Sequence, residues 1–229
     1  MHYLSLFTTL VTFAFCIAVM SRYTLRGGLH LLFWGIGLVL YGLGTLTEVW
    51  LGFTYNAYAM KIWYLCGAML TAAWLGQGSI NLLVRKPGLA RILNIVMVVV
   101  SLLALVLVFI APMNAAAAAT YDPSVPASEQ YKEIMTRSGP MILLTILLNV
   151  YGTITLVGGA IYSAFLFWRK KVLVNRLLGN ILIAAGALLP AMGGTFVAAG
   201  MVDLLYISEL LGVILMFVGF LQATASNNN

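Results

Sequence analysis

Two of the six acids in this 229-residue chain, Glu48 and Glu209, fall inside long apolar runs. An acid so placed is costly in hydrocarbon, so it marks a ligand site, a proton site or a polar anchor. Glu48 shares a helical face with Gly37, Tyr41 and Gly44, and Glu209 opens a stripe with Gly212, Met216 and Gly219. Their functional reading is one outward-open cavity faced by Glu48, Glu209, Tyr64, Tyr206, Tyr41 and Asn149. Such a cavity suits a cation, an amine or a lipid headgroup, and buried carboxylates there would permit proton coupling. The competing reading is interfacial: Glu48 lies roughly 4–5 Å, and Glu209 roughly 7–8 Å, below the ends of their runs at about 1.5 Å per residue.

Other chemistry has less support. The two histidines, His2 and His30, lie near opposite faces, which argues against a paired-histidine haem site or a zinc site. The two cysteines, Cys16 and Cys66, sit at different depths and make no ligand set. Eleven scattered methionines are gap fillers rather than a copper site. The last apolar run has no lysine to carry a retinal Schiff base. No phosphate loop and no nucleophile–base pair is present. No metal, no cofactor and no catalytic residue is therefore expected. Lys61 either pairs with Asp203 or Glu48 at the rim or snorkels to the interface. Trp50, Phe53, Tyr55, Tyr58 and Trp63 cluster at one depth and read as an interfacial belt.

The elements that position these residues follow from composition. The chain is 62% hydrophobic and 8% charged, too few charges to clothe a water-facing surface, where about 25% is usual. Seven runs are long enough for lipid: Leu4–Met20, Leu29–Leu51, Met60–Val84, Leu93–Ala111, Met141–Phe167, Leu177–Ala199 and Leu204–Ala223. The fold expected is all-α, a single domain over 1–229 with seven transmembrane helices in a plasma membrane. Continuous apolar runs exclude a β-barrel, whose strands alternate.

The net charge of +6 does not indicate nucleic acid, because the cations are placed by topology. Arg22, Arg26, Arg85, Lys86, Arg91, Arg169, Lys170, Lys171 and Arg176 follow the first, third and fifth runs. All six acids fall on the other side, with Lys61, Lys132 and Arg137. The positive-inside rule gives an outer N-terminus and an inner C-terminus, with a short cytoplasmic tail at 224–229. The first run lacks the basic residues before it that a cleavable signal has.

One connection is long, 112–139 on the outer side, broken by Pro123 and Pro126. Ser128 could cap a short helix in it, with Tyr131, Ile134 and Met135 on one face. It reads equally as a lid or as a tether. The fourth run is apolar nearly all round, with Ser101 its one polar residue past Asn94, which suits a helix at the lipid edge. The other runs carry small residues that read first as packing seams. Gly186, Pro190 and Gly194 recur at steps of four and mark a kink or break in the sixth run. "LYGLGTL" echoes "IAAGALL", and "YLCGAML" echoes "ELLGVIL". These echoes suggest a 3+1+3 layout with a parallel repeat.

At "WYLCGAMLTAAWLGQGSINLL", "YGTITLVGGAIYSAFLFWR", "GNILIAAGALLPAMGGTF" and "YISELLGVILMFVGF" the chain resembles an uncharacterised family of bacterial seven-span integral membrane proteins. More loosely, it is similar to the seven-span sensor region of bacterial histidine kinases, although it ends soon after the seventh run. The layout is also similar to sugar transporters with a proline–glutamine motif, but that motif is missing here. The resemblance implies a topology and no activity. The function expected is a non-enzymatic membrane protein that binds or transports a small solute or lipid through an outward-facing polar cavity. The alternatives are an accessory or sensory subunit with a membrane partner or a second copy, and a lipid-modifying enzyme. The bilayer is the expected partner throughout.

Overall fold

Apolar runs of this length must satisfy their own backbone groups, and a helix does so within one segment. The computed structural model describes residues 2–84, 86–170 and 174–225, and these contain helices and no strand. Arg85 and Lys171 of the basic clusters and residues 226–229 of the expected tail lie outside the described residues. The helices are α1 His2–Arg26, α2 Leu29–Leu51, α3 Ala57–Trp63, α4 Thr71–Leu83, α5 Pro87–Ile110, α6 Ala115–Ala119, α7 Ala127–Ile134, α8 Gly139–Lys170, α9 Val174–Ala191, α10 Gly193–Ala198 and α11 Val202–Thr224. Gly27 and Gly28, at φ 66° and 105°, make the reversal between α1 and α2, a backbone shape that favours glycine.

Six helices, α1, α2, α5, α8, α9 and α11, are long and apolar enough to cross a membrane. The expected run Met60–Val84 is helical but not uniform: α3 passes into a π-helix over Tyr64–Leu70 and then into α4. Its longest α-helical piece, α4, has 13 residues. The sixth expected run, Leu177–Ala199, is divided as well. Pro190 has no N–H for the carbonyl of Gly186, and the helix breaks at Met192 before α10 begins. Gly194 belongs to α10; beyond that it falls outside the described residues.

The helices close into a ring. α1 packs on α2, α2 on the α3–α4 segment, that segment on α8, α8 on α9, α9 on α11, and α11 back on α1. α5 stays outside, packed chiefly against α4, the π-helix and α8. Only 17% of its apolar window is buried, against 50% for α2, as its near-uniform apolar surface leads one to expect. Two polar clamps hold it. Asn94 exchanges hydrogen bonds with Asn81 (2.8 and 3.0 Å) and accepts from Gln77 Nε2 at 2.6 Å. The Tyr151 hydroxyl donates to the fully buried Gln77. Further along, Trp74 Nε1 donates to Ser101 Oγ at 3.0 Å. Lys61 Nζ donates to the Phe109 carbonyl at 2.8 Å, a cation satisfying the last turn of a helix. The partner seen for Lys61 is thus a helix carbonyl rather than Asp203 or Glu48.

The most extensive seam joins α9 to α11. A Cβ on Gly186 would lie 2.6 Å from the Gly212 carbonyl oxygen, and one on Gly212 would lie 2.7 Å from that of Gly186. Seven residues away the arrangement repeats: a Cβ on Gly219 would lie 2.6 Å from the Gly179 carbonyl. Gly212 also rests against Pro190 Cδ. The carbonyl that Pro190 leaves without an intrahelical donor thus meets the Cα of Gly212, a weak C–H···O contact.

The connection after α5 is docked. Asn114 N donates to the Ile134 carbonyl (2.8 Å) and Thr136 N to that of Pro112 (3.0 Å), so its two ends are pinned together. Tyr121 Oη donates to the Leu51 carbonyl at 3.0 Å. Ile134 and Met135 are 2% and 0% exposed, and Tyr131 packs beside them. Ser128 is not the cap: α7 begins one residue earlier, after Pro126, whose fixed φ suits a helix start.

Replacing Gly186 with alanine should cost about 1–3 kcal/mol, because a methyl group there meets backbone that cannot move aside. Gly158, whose Cβ would meet nothing within 4 Å, should accept alanine without loss. Equilibrium unfolding in mixed micelles compares the two. Equal midpoints would mean that the α9–α11 seam does not hold the bundle.

Candidate functional site

The ring encloses a cavity of about 430 Å³, walled by α2, the α3–α4 segment, α8, α9 and α11 and covered by α7. Glu48 and Glu209 both face it, and so do Tyr41 and Asn149. The carboxylates thus share one space. Small residues leave that space empty: Gly44, Gly67, Ala68, Ala72, Gly152 and Ala187 all line it.

Glu48 lies three residues before the end of α2 and is buried. Tyr206 Oη donates to Glu48 Oε1 at 2.6 Å, and the polar groups of Trp63 and Ser5 lie beside the carboxylate. Glu209 lies deeper, seven residues into α11, because the helix begins at Val202. Its residue surface is half-buried because it faces the cavity, yet Oε2 is covered and meets no donor. Tyr41 Oη donates to the Glu209 carbonyl at 3.1 Å. α1 stands between α2 and α11 in the ring, so Tyr41 and Tyr206 are two rungs reaching across it, one from each helix.

The other expected residues divide. Tyr206 does not line the cavity; with Glu48, Ser5, Gly52 and Tyr121 it lines a crevice of about 10 Å³, room for one water. Glu48 faces both spaces and is the partition between them. Tyr64 does not reach the cavity. It is buried, shares a 3.1 Å hydrogen bond with Thr145, and packs against Tyr131. Asn149 also supports the backbone, since its Nδ2 donates to the Ala68 carbonyl at 2.7 Å, within the π-helix. Thr71 Oγ1 does the same for Cys66 at 2.7 Å. Both cysteines are free and buried. Pro190 lines the cavity, while Gly186 serves the seam described above.

Residues missing from the expected set complete the site. Trp63 is 9% exposed and forms cavity wall. Of the expected belt, Trp50, Phe53 and Tyr58 are exposed, but Trp63 is not part of it. Ser128, Tyr131 and Lys132 come from α7, and Thr153 from α8. The Tyr131 ring lies 5.3 Å from that of Trp63, and Arg137 stands over it at 4.9 Å. In the covering segment, burial pushes the Tyr121 phenol up to about 12, with the charges of Glu48 and Asp122 adding to it. Burial also raises Tyr131, against an opposing pull from Arg137. Both phenols therefore stay neutral near pH 7. Ser124 hydrogen bonds hold Asp122 below the usual carboxylate range and tie its turn. No protein-family model, curated protein or solved structure matches the chain.

Tyr206→Phe should destabilise the bundle by about 1–3 kcal/mol, because it strips a buried carboxylate of its shortest bond. Tyr41→Phe should cost less, about 0.5–1.5 kcal/mol, since it frees only a helix carbonyl. In a double-mutant cycle, Glu48→Gln should remove most of the Tyr206 effect. Strict additivity of Tyr206→Phe and Glu48→Gln would break the link drawn between them.

Proposed function

We propose that the chain crosses the membrane seven times, N-terminus out and C-terminus in, and that its central cavity binds or carries a small solute or lipid from the outer side. One observation carries this reading: Glu48 and Glu209 share a roomy cavity under a docked cover. A bundle that only needs to pack has no use for two acids facing an unfilled space, since each costs free energy to bury. Volumes of this size are typical of small-molecule sites.

The seventh crossing is the α3–π–α4 segment, which occupies a full place in the ring between α2 and α8. The orientation rests on the basic residues at the end opposite the cover; Arg22 there feels the charges of Arg26 and Arg176. A parallel repeat also draws support from the packing. Gly67 in "YLCGAML" and Gly212 in "ELLGVIL" hold the same place in their stretches. Each meets the backbone of the preceding span, Gly44 in one unit and Gly186 in the other. Each neighbour contact in the first unit has a counterpart in the second, with α5 as the joining helix.

In a chain freed of Cys16 and Cys66, Thr153→Cys should react with a membrane-impermeant thiol reagent added from the outer side. Ile154→Cys, 65% exposed but outside the cavity lining, should stay unmodified because lipid excludes the reagent. Modification of Thr153→Cys only from the inner side, or no faster than Ile154→Cys, would overturn the outward-facing cavity.

A further inference from the structure

The lining of the cavity narrows its ligand to one chemical class. We infer that the cavity takes an organic ammonium compound, an amine or quaternary amine on a short apolar body, with Glu209 as its counter-charge; this rests on the binding reading above.

The two carboxylates are not equivalent. Glu48 accepts a short hydrogen bond from Tyr206, with Trp63 and Ser5 beside it. Glu209 Oε2 is covered and has no protein donor. A carboxylate in such a place is stable when a cation or further donors reach it. Lys132 is the one cationic side chain in the described lining, and it is exposed on the cover. Water screens it there, so the field inside is set by the acids.

The walls beside the acids are aromatic. Trp63 and Tyr131 face the same space, and ring faces attract ammonium groups. Tyr131 already accepts one cation, Arg137, over its ring. Toward the other end the lining is aliphatic: Leu75, Leu156, Val157 and Met216. A bare metal ion fits poorly. Hard cations take six or more oxygens at short range, and no cluster of three metal-binding side chains occurs among the described residues. An ammonium head with a small hydrocarbon body matches both ends.

The test uses purified full-length protein in lipid nanodiscs and equilibrium dialysis with four probes. These are phenethylamine, its N,N,N-trimethyl derivative, neutral 2-phenylethanol and anionic phenylacetate. The two cations should bind about ten- to a hundredfold tighter than the alcohol, and phenylacetate weakest. Glu209→Gln should erase that preference while the alcohol binds as before, and Gly158→Ala should leave all four unchanged. If Glu209→Gln does not fold, Trp63→Leu should weaken the trimethyl compound most. Equal binding of alcohol and amine, or preference for phenylacetate, overturns the ammonium assignment and leaves a solute cavity of another class. Binding of none of the four, with Thr153→Cys still labelled from outside, overturns it too. Failure of that labelling instead strikes the cavity reading itself.

Discussion

The hydroxyl of Tyr206 reaches from α11 over the ring to Glu48 on α2, and much of the architecture serves that contact. A carboxylate inside an apolar bundle is costly unless donors match it, since hydrocarbon offers none. Tyr206 is long enough to bridge two helices that α1 keeps apart. Trp63 on α3 and Ser5 on α1 bring polar groups beside the carboxylate. The bond from Tyr206 ties α2 to α11. Tyr41 makes the reverse crossing to the Glu209 backbone. With both rungs made, α2 and α11 keep their separation, and the space between them stays open without a side chain to fill it.

Glycine does two opposite things around that space. On the α9–α11 seam, facing glycines let carbonyls touch Cα atoms, and the helices close up. Inside the ring, Gly67, Ala68 and Ala187 do the reverse: they present little side chain to the cavity, while Gly152 closes α8 onto the backbone of Ala72. Gly44 does both, since it also backs onto Gly67 at the π-helix. The π-helix costs backbone order, and Thr71 and Asn149 take up its displaced carbonyls. π-Helical turns of this kind gather at functional sites. Here the turn carries Gly67 and Ala68 to the wall that faces the acids.

Much of this is legible in the residues. Long apolar runs announce helices by length alone, and the 3.6-residue period places Glu48 with Tyr41 and Gly44. The outlying place of α5 follows from its uniform surface. Pro190 announces a break because its missing N–H acts within its own helix. Legibility fails where the period changes or partners are remote. Tyr64 reads as a cavity residue on an α-helical count from Gly67. The wider π turn puts Trp63, one residue further back, on that face instead. Gln77 and Asn81, Asn94 and Tyr151 stand on three segments, and only their meeting in space makes them a clamp. Lys61 is near enough to two acids to suggest a pair, yet its partner is a carbonyl on the helix that no acid touches.

The cover over the cavity follows from the same economy of polar groups. A connection of this length normally runs free over a surface. This one buries Ile134 and Met135, pins its own ends by main-chain bonds, and anchors Tyr121 on the last carbonyl of α2. That anchor lies three residues from Glu48. The cover, the end of α2 and the Glu48–Tyr206 bond are thus one mechanical unit, with the small crevice at their junction. The opposite wall is built differently. α9 breaks beside the cavity at Met192, and Pro190, Ala191 and Gly193 line it with no side-chain hydrogen bond to the acids. The Glu48 side of the cavity is fastened by side-chain hydrogen bonds, whereas the residues at the α9–α10 break line it with apolar groups.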